Sequence, residues 1–160
     1  MKVSESMGYS RKLQSFIKNS NIDAQILYLS KEVKTVEQAT HVLGVSKDNI
    51  IKSLLFIDSL GEPSLVIIRG DQSVNIDKLT RMTKRSVRMA TPKEVLKYTG
   101  YPVGGVPPIG FDSPLRTIID EKVLEKEVVY GGGGSVNALL KVSPKEIVKV
   151  LKPIIASVSS

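Results

Sequence analysis

The chain holds 160 residues, 41% hydrophobic and 24% charged, which suits one domain over residues 1–160 with a sizeable core and excludes a disordered or fibrous chain. Cysteine is absent and His41 is the one histidine, so disulfides, thiolate metal sites and cysteine nucleophiles are excluded, and a metal centre or a Ser-His-Asp triad is short of ligands. Lysine and arginine outnumber the acids 23 to 16, a formal net charge of +7 that suits RNA, DNA or a phosphate-bearing small molecule.

Residues 9–19 are predicted as a first helix, with Leu13, Phe16 and Ile17 on one face. Residues 24–29 read as a strand. Thr35-Val36-Glu37-Gln38 carries the Thr-x-x-Gln pattern of a helix start, and that helix should stop at Gly44. Residues 49–57 and 64–68 are apolar runs separated by Asp58-Ser59-Leu60-Gly61-Glu62-Pro63, the composition of a hairpin turn. Unbroken apolar stretches such as Leu54-Leu55-Phe56-Ile57 suggest strands covered on both faces. A short helix over 76–81 and a strand over 87–89 follow. Thr91-Pro92-Lys93-Glu94 then opens a helix that Gly100 can close, and Ser143-Pro144-Lys145-Glu146 repeats that opening. Between these helices lie a proline- and glycine-rich loop over 100–114 and strands over 116–120, 128–130 and 138–142. The irregular alternation predicts an α+β fold, a mixed sheet with helices packed around it, without repeats or a dividing linker. No stretch approaches the ~20 apolar residues that span a bilayer, and the N-terminal residues 1–13 lack the apolar core of a secretory signal. A soluble, cytoplasmic protein without a membrane partner is expected.

Three features carry candidate chemistry. Tyr101-Pro102-Val103-Gly104-Gly105-Val106-Pro107-Pro108-Ile109-Gly110 fixes an unusual backbone path, because glycine permits left-handed angles while proline removes flexibility and donors. Its remaining amides could converge on a carbonyl oxygen or phosphate, and a rigid structural turn would use the same residues. Gly131-Gly132-Gly133-Gly134-Ser135 permits close approach of a ligand but also suits a plain connection, and it has neither the lysine of a P-loop nor the order of a dinucleotide site. Lys52 is a cation inside an apolar strand, which either snorkels to the sheet edge or faces a pocket holding an anion or carbonyl. His41 reads as a surface or half-buried structural residue. Arg81, Lys84, Arg85 and Arg88 could contact phosphates or form a solvated face.

The order of these segments is more specific than any one of them. Thr35-Val36-Glu37-Gln38-Ala39, Ile51-Lys52-Ser53-Leu54-Leu55-Phe56, Gly70-Asp71, Ala90-Thr91-Pro92-Lys93-Glu94-Val95, Thr99 through Pro108, and Ser143-Pro144-Lys145-Glu146 follow one another. This succession, covering about residues 22–150, closely resembles the YbaK/prolyl-tRNA-synthetase-associated editing-domain family. The signature pair is a lysine in an I-x-K-[ST]-L strand and a later G-x-x-x-P loop.

The resemblance implies a mixed, strongly curved sheet surrounded by helices, and a free-standing deacylase that hydrolyses the ester of a mischarged tRNA in trans. Alanine on tRNA for proline is the first expectation and cysteine the second. It implies no metal and no cofactor. The implied partners are the 3′-terminal adenosine and acceptor stem of an aminoacyl-tRNA, with a synthetase as a further candidate. Carried over by position, Lys52 is the essential lysine, and Gly104, Gly105, Val106 and Pro108 belong to the loop that orients the ester. Ser53 is the adjacent hydroxyl position, Gly132, Gly133 and Gly134 form a small-residue loop beside the pocket, and Tyr28 falls near a pocket-wall aromatic. Two residues depart from the pattern: Pro107 replaces a frequent serine, removing a hydroxyl and an amide, and Asn137 replaces a frequent glycine. A noncatalytic tRNA- or amino-acid-binding module of the same fold is the competing expectation.

Overall fold

The computed structural model describes residues 3–160, with side chains from residue 8 onward. Residues 1 and 2, at the head of the expected domain and of the segment without a leader's apolar core, lie outside the described residues.

Helix α1 (Val3–Asn19) starts earlier than its apolar face predicts and seats Leu13 and Ile17 in the core. Strand β1 (Ala24–Tyr28) follows, then α2 (Val36–Leu43). The α2 start is capped as expected by Thr35, whose side chain accepts from the Gln38 amide at 3.1 Å. Gln38 Oε1 reaches back one residue further than a capping box requires and accepts from the Lys34 amide at 2.8 Å. Strands β2 (Ile51–Asp58) and β3 (Pro63–Arg69) form the predicted antiparallel hairpin. Then come α3 (Ile76–Thr83), β4 (Val87–Met89) and α4 (Pro92–Thr99). The α4 cap is complete, since Thr91 and Glu94 exchange side-chain-to-amide bonds at 2.9 and 3.2 Å. A bidentate ion pair with Arg88, helped by the Thr91 amide, holds the Glu94 carboxyl at about 2. The chain continues through β5 (Thr117–Asp120), β6 (Val129–Gly133), β7 (Ser135–Val142), α5 (Pro144–Leu151) and β8 (Ile154–Ala156).

The architecture is α+β with two sheets. One has the order β1-β7-β6 and is antiparallel throughout; the other, β4-β2-β3-β5-β8, is mixed, because β3/β5 and β5/β8 are parallel. The sheets meet at a bridge between Ile50 and Tyr130. Three differences from the expectation share one cause, long-range pairing without a local signal. Strand β6 continues through Gly131–Gly133, β7 begins at Ser135, and β8 is added at an edge. Two apolar layers enclose the second sheet. Leu55, Leu65 and Ile67 share one apolar cluster with Leu13 and Ile17 of α1 and Ile147 of α5, while Phe56, Val66 and Ile68 pack with Leu79 and Val158. Strand β3 is therefore buried on both faces, as its apolar run predicts, and the short β5 is buried throughout. Among the described residues no helix is long and apolar enough to cross a membrane.

The hairpin turn is organised by a buried carboxylate. Asp58 Oδ1 accepts from the amides of Leu60 and Glu62 at 2.9 and 3.0 Å, and Oδ2 accepts from Arg85 at 3.2 Å. The Glu62 amide, then the Leu60 amide and Arg85, hold the carboxyl below its ordinary value of 3.8. A carboxyl depressed in the folded state stabilises above about pH 4, and that contribution is lost as pH falls through the folded value. Replacing Asp58 with Asn should therefore flatten the loss of stability as pH falls below about 4 in denaturant titrations. An unchanged slope would assign the acid sensitivity to other groups.

Candidate active site

The site arises where a sheet edge is left open. Strand β3 pairs with β2 from Ile51 to Ile57, but β4 covers only Phe56–Asp58 on the other edge. The first half of β2 therefore presents an edge rather than one face, so the consecutive residues Lys52, Ser53 and Leu54 reach the same cavity. Around that edge stand Val36 and Ala39 of α2, Pro92 and Val95 of α4, the loop at Gly104 and Val106, and Tyr130–Gly132 of β6. They enclose about 320 Å³ with a mainly apolar wall. Met89 and Val103, 58% and 54% exposed, form an apolar lip at its mouth.

Lys52 is half-buried, and its Nζ donates to the Gln72 carbonyl at 2.7 Å. Its charge adds to stronger effects, the backbone hydrogen bond at Glu37 first and Lys47 after it, that hold the Glu37 carboxyl below its ordinary value. Ser53 Oγ is buried and has no hydrogen-bond partner among the described residues. Leaving a buried hydroxyl unpaired costs on the order of 1–3 kcal/mol, so this atom is a candidate to meet a polar group in the cavity.

The two glycine-rich segments build the opposite wall by touching backbone to backbone. Gly104 turns the loop with φ +91°, the left-handed conformation that its sequence anticipates. The Gly105 amide donates to the Pro102 carbonyl at 2.9 Å, and the Gly134 amide donates to the Gly105 carbonyl at 2.8 Å. A Cβ at Gly132 would overlap the Val106 carbonyl, so this contact requires glycine. Tyr101 braces the loop from inside: its buried hydroxyl donates to the Gly110 carbonyl at 2.7 Å, and burial pushes the hydroxyl's pKa above the usual phenol range. Helix α1 holds both segments. Lys12 Nζ lies 2.7 Å from Asp112 and 4.6 Å from the Tyr101 ring centre, while Ser10 Oγ donates to the Gly133 carbonyl at 3.2 Å.

Of the residues anticipated from sequence, Lys52, Ser53, Gly104, Val106 and Gly132 line the cavity together. Gly105, Pro108, Gly133 and Gly134 lie behind that wall. The Gly105 amide is already engaged, while the amides of Gly104 and Val106 have no partner among the described residues. The expectation for Tyr28 needs correction: it is 62% exposed and outside the cavity wall. It ends β1, which β7 separates from the cavity-lining β6. The basic cluster divides as well, since Arg85 pairs with Asp58 and Glu62 and Arg88 pairs with Glu94. His41 is exposed on α2 and outside the cavity wall. Among the described residues no group of three or more His, Asp or Glu is placed to hold a metal ion. Sequence reasoning missed the contributions of Val33 and Lys34, which no motif marks, and of Gln72, whose acceptor is a backbone carbonyl.

The same fold, with a similar arrangement of chain, occurs in solved structures. Hypothetical protein APE2540 matches with a TM-score of 0.88 and 38% identity, covering 93% of this chain and 99% of that one. A candidate trans-editing enzyme for prolyl-tRNA synthetase matches with a TM-score of 0.88 and 29% identity, over 95% and 97% of the two chains. The model of the aminoacyl-tRNA editing domain matches residues 30–150, and the chain belongs to this family. Among curated relatives, the uncharacterized protein YwhH of Bacillus subtilis (strain 168) is 34% identical over 113 residues, 71% of this chain and 72% of that protein. The proline–tRNA ligase of Thermotoga sp. (strain RQ2) is 44% identical over 102 residues, 62% of this chain but 17% of the ligase.

The backbone contact yields a direct expectation. A methyl group at Gly132 must force the two segments apart, and such overpacking costs about 1–3 kcal/mol. Gly132→Ala should lower the denaturant midpoint accordingly; an unchanged midpoint would show that the segments separate freely.

Proposed function

We propose that the chain is a free-standing aminoacyl-tRNA deacylase that hydrolyses the ester of a mischarged tRNA in trans. The observation that carries the reading is the wall of the cavity: the Lys52 ammonium, the unpartnered Ser53 hydroxyl and the uncommitted amides of Gly104 and Val106 around a mainly apolar space. An aminoacyl ester matches this wall, with a small apolar side chain for its apolar surface beside carbonyl, amino and ribose atoms for its polar groups. Membership of the editing-domain family supports the same reading, as does likeness to a candidate trans-editing enzyme along 97% of its chain.

In the proposed reaction a water oxygen attacks the ester carbonyl carbon, and the amides of Gly104 and Val106 stabilise the developing oxyanion. The carbon–oxygen bond to the ribose then breaks, releasing the free amino acid and the ribose hydroxyl. The substrate's vicinal hydroxyl orients the water and relays its proton, so the site needs no side-chain base. Lys52 orients the substrate and offsets charge. Metal and cofactor have no part in this scheme. Alanine on tRNA for proline is the first proposed substrate and cysteine the second, as the family resemblance implies; a mainly apolar cavity filters such side chains by exclusion better than by affinity for one methylene. The partners proposed are the terminal adenosine and acceptor stem, with a synthetase as the source of the charged tRNA, and the setting is the cytoplasm.

Pro107 favours a second reading, a binding module without hydrolysis, because the loop lacks a hydroxyl and an amide there. Single-turnover release from tRNA for proline carrying Ala, Cys, Ser or Pro, and from cognate Ala-tRNA, separates the two. The expected result is rapid loss of one mischarged species, reduced about 10²- to 10³-fold in folded Lys52→Ala. Tight binding without release across this panel would favour the second reading. Hydrolysis should also weaken with added salt, because tRNA attraction depends on phosphate neutralisation; salt-independent capture would remove the basic surface from the account.

A further inference from the structure

Lys52 is not free to choose its direction. An ammonium has three donors on a flexible stem, and fixing one of them restricts where the other two point. Here one is fixed by the Gln72 carbonyl, at 2.7 Å. The aim of Lys52 therefore depends on the segment that follows β3, and that segment has little secondary structure of its own before α3.

Its first part is held by short local contacts. The Gly70 amide donates to the Ile50 carbonyl at 2.6 Å, Arg69 makes a two-pronged bond to Asp71 at 2.7 and 2.9 Å, and the Gln72 amide donates to the Arg69 carbonyl at 3.1 Å. Its second part is held by the C-terminal residues, which lie beyond the matched family segment. The Asn75 amide donates to the Val158 carbonyl at 2.7 Å, and the Ser160 amide donates to the Ser73 carbonyl at 3.0 Å. The C-terminal residues are themselves gripped by Asp120, a carboxylate with no exposed surface. Its Oδ1 accepts from the amides of Val158 and Ser159 at 2.8 and 3.0 Å, and its Oδ2 accepts from Ser159 Oγ at 2.9 Å and the Lys122 amide at 3.2 Å. Lys122 Nζ then donates to Gln72 Oε1 at 3.1 Å. Asp120 thus reaches Gln72 through Lys122, and the residues that follow it, Ser73 and Asn75, through the C-terminal residues.

We propose that Gln72 and Asp120 are positioning residues for Lys52: the buried Asp120 carboxylate fixes the C-terminal residues and Lys122 against the Gln72 segment, and the Gln72 carbonyl aims the ammonium into the cavity. The inference rests on the reading of Lys52 as the substrate-orienting cation. Neither residue lines the cavity, so both act through Lys52 and not on the ester.

The test uses the full chain in four forms: wild type, Gln72→Ala, which keeps the backbone carbonyl but frees its segment by removing the Oε1 bond to Lys122, Asp120→Asn and, as a control for lost stability, Asp58→Asn in the distant hairpin turn. Folding of each is verified by circular dichroism at the assay temperature. Two quantities are read: the single-turnover rate with its half-saturation concentration, and the carbon-13 resonance of Lys52 after reductive methylation, assigned by its absence from Lys52→Arg. Gln72→Ala and Asp120→Asn should lower the saturating rate about ten- to a hundredfold, the scale of a small misplacement, with half-saturation within about twofold. Both should move the Lys52 resonance, and Asp58→Asn should leave rate and resonance at wild-type values. Wild-type rate and resonance in folded variants would overturn the proposal, as would a slow rate with an unmoved resonance. Should Asp120→Asn not fold, Ser159→Ala, which removes one bond to the carboxylate, takes its place under the same criteria. If the wild type releases no amino acid, the deacylase reading fails, and the resonance alone still decides whether Asp120 and Gln72 hold Lys52.

Discussion

The site depends on a contact between two stretches of bare backbone. Gly104–Val106 and Gly132–Gly134 approach so closely that the Gly134 amide reaches the Gly105 carbonyl and no side chain fits between Gly132 and Val106. A wall made this way holds its amides at fixed positions without any side chain to rotate, which is the property that electrostatic preorganisation requires. The cost is conformational, since each glycine surrenders more freedom on folding than any other residue. The surrounding structure offsets that cost with the Tyr101 hydroxyl bond inside the loop and with α1 across its back.

The facing wall solves a different problem. A cation placed in the middle of a buried strand would be desolvated on every side, but β2 is covered by β4 only at its far end. Lys52 therefore stands at an open edge, half-buried, with a backbone carbonyl as its fixed acceptor rather than a carboxylate that would neutralise it. The topology that leaves the edge open also makes the cavity, and Lys52 is the charged residue from that edge which reaches it.

Much of this was legible in the sequence. Caps at Thr35, Thr91 and Ser143, the hairpin around Asp58 to Pro63, and the left-handed turn at Gly104 depend on neighbours within a few residues, and local chemistry announces them. The pairing of Lys52 with the G-x-x-x-P loop was legible only through the order of motifs along the chain. What stayed hidden is long-range or made of backbone. The added strand β8 is recruited by parallel pairing with β5, the Gln72 carbonyl has no residue signature, and the partners of Asp120 lie 38 and 39 residues away. Tyr28 was misplaced for the same reason, because motif spacing gives position along the chain but not the order of strands across a sheet.

The embrace of α1 bears on how portable the module is. The family segment runs from residue 30 to residue 150, yet Leu13 and the backbone of Tyr9 fill the space directly behind Gly110 and Gly134. A transplant of the matched segment alone into another protein would carry every cavity-lining residue and leave the rear of both glycine stretches open to water. A host would have to supply its own buttress at that place, so the smallest transferable unit is set by what stands behind the wall rather than by what lines it.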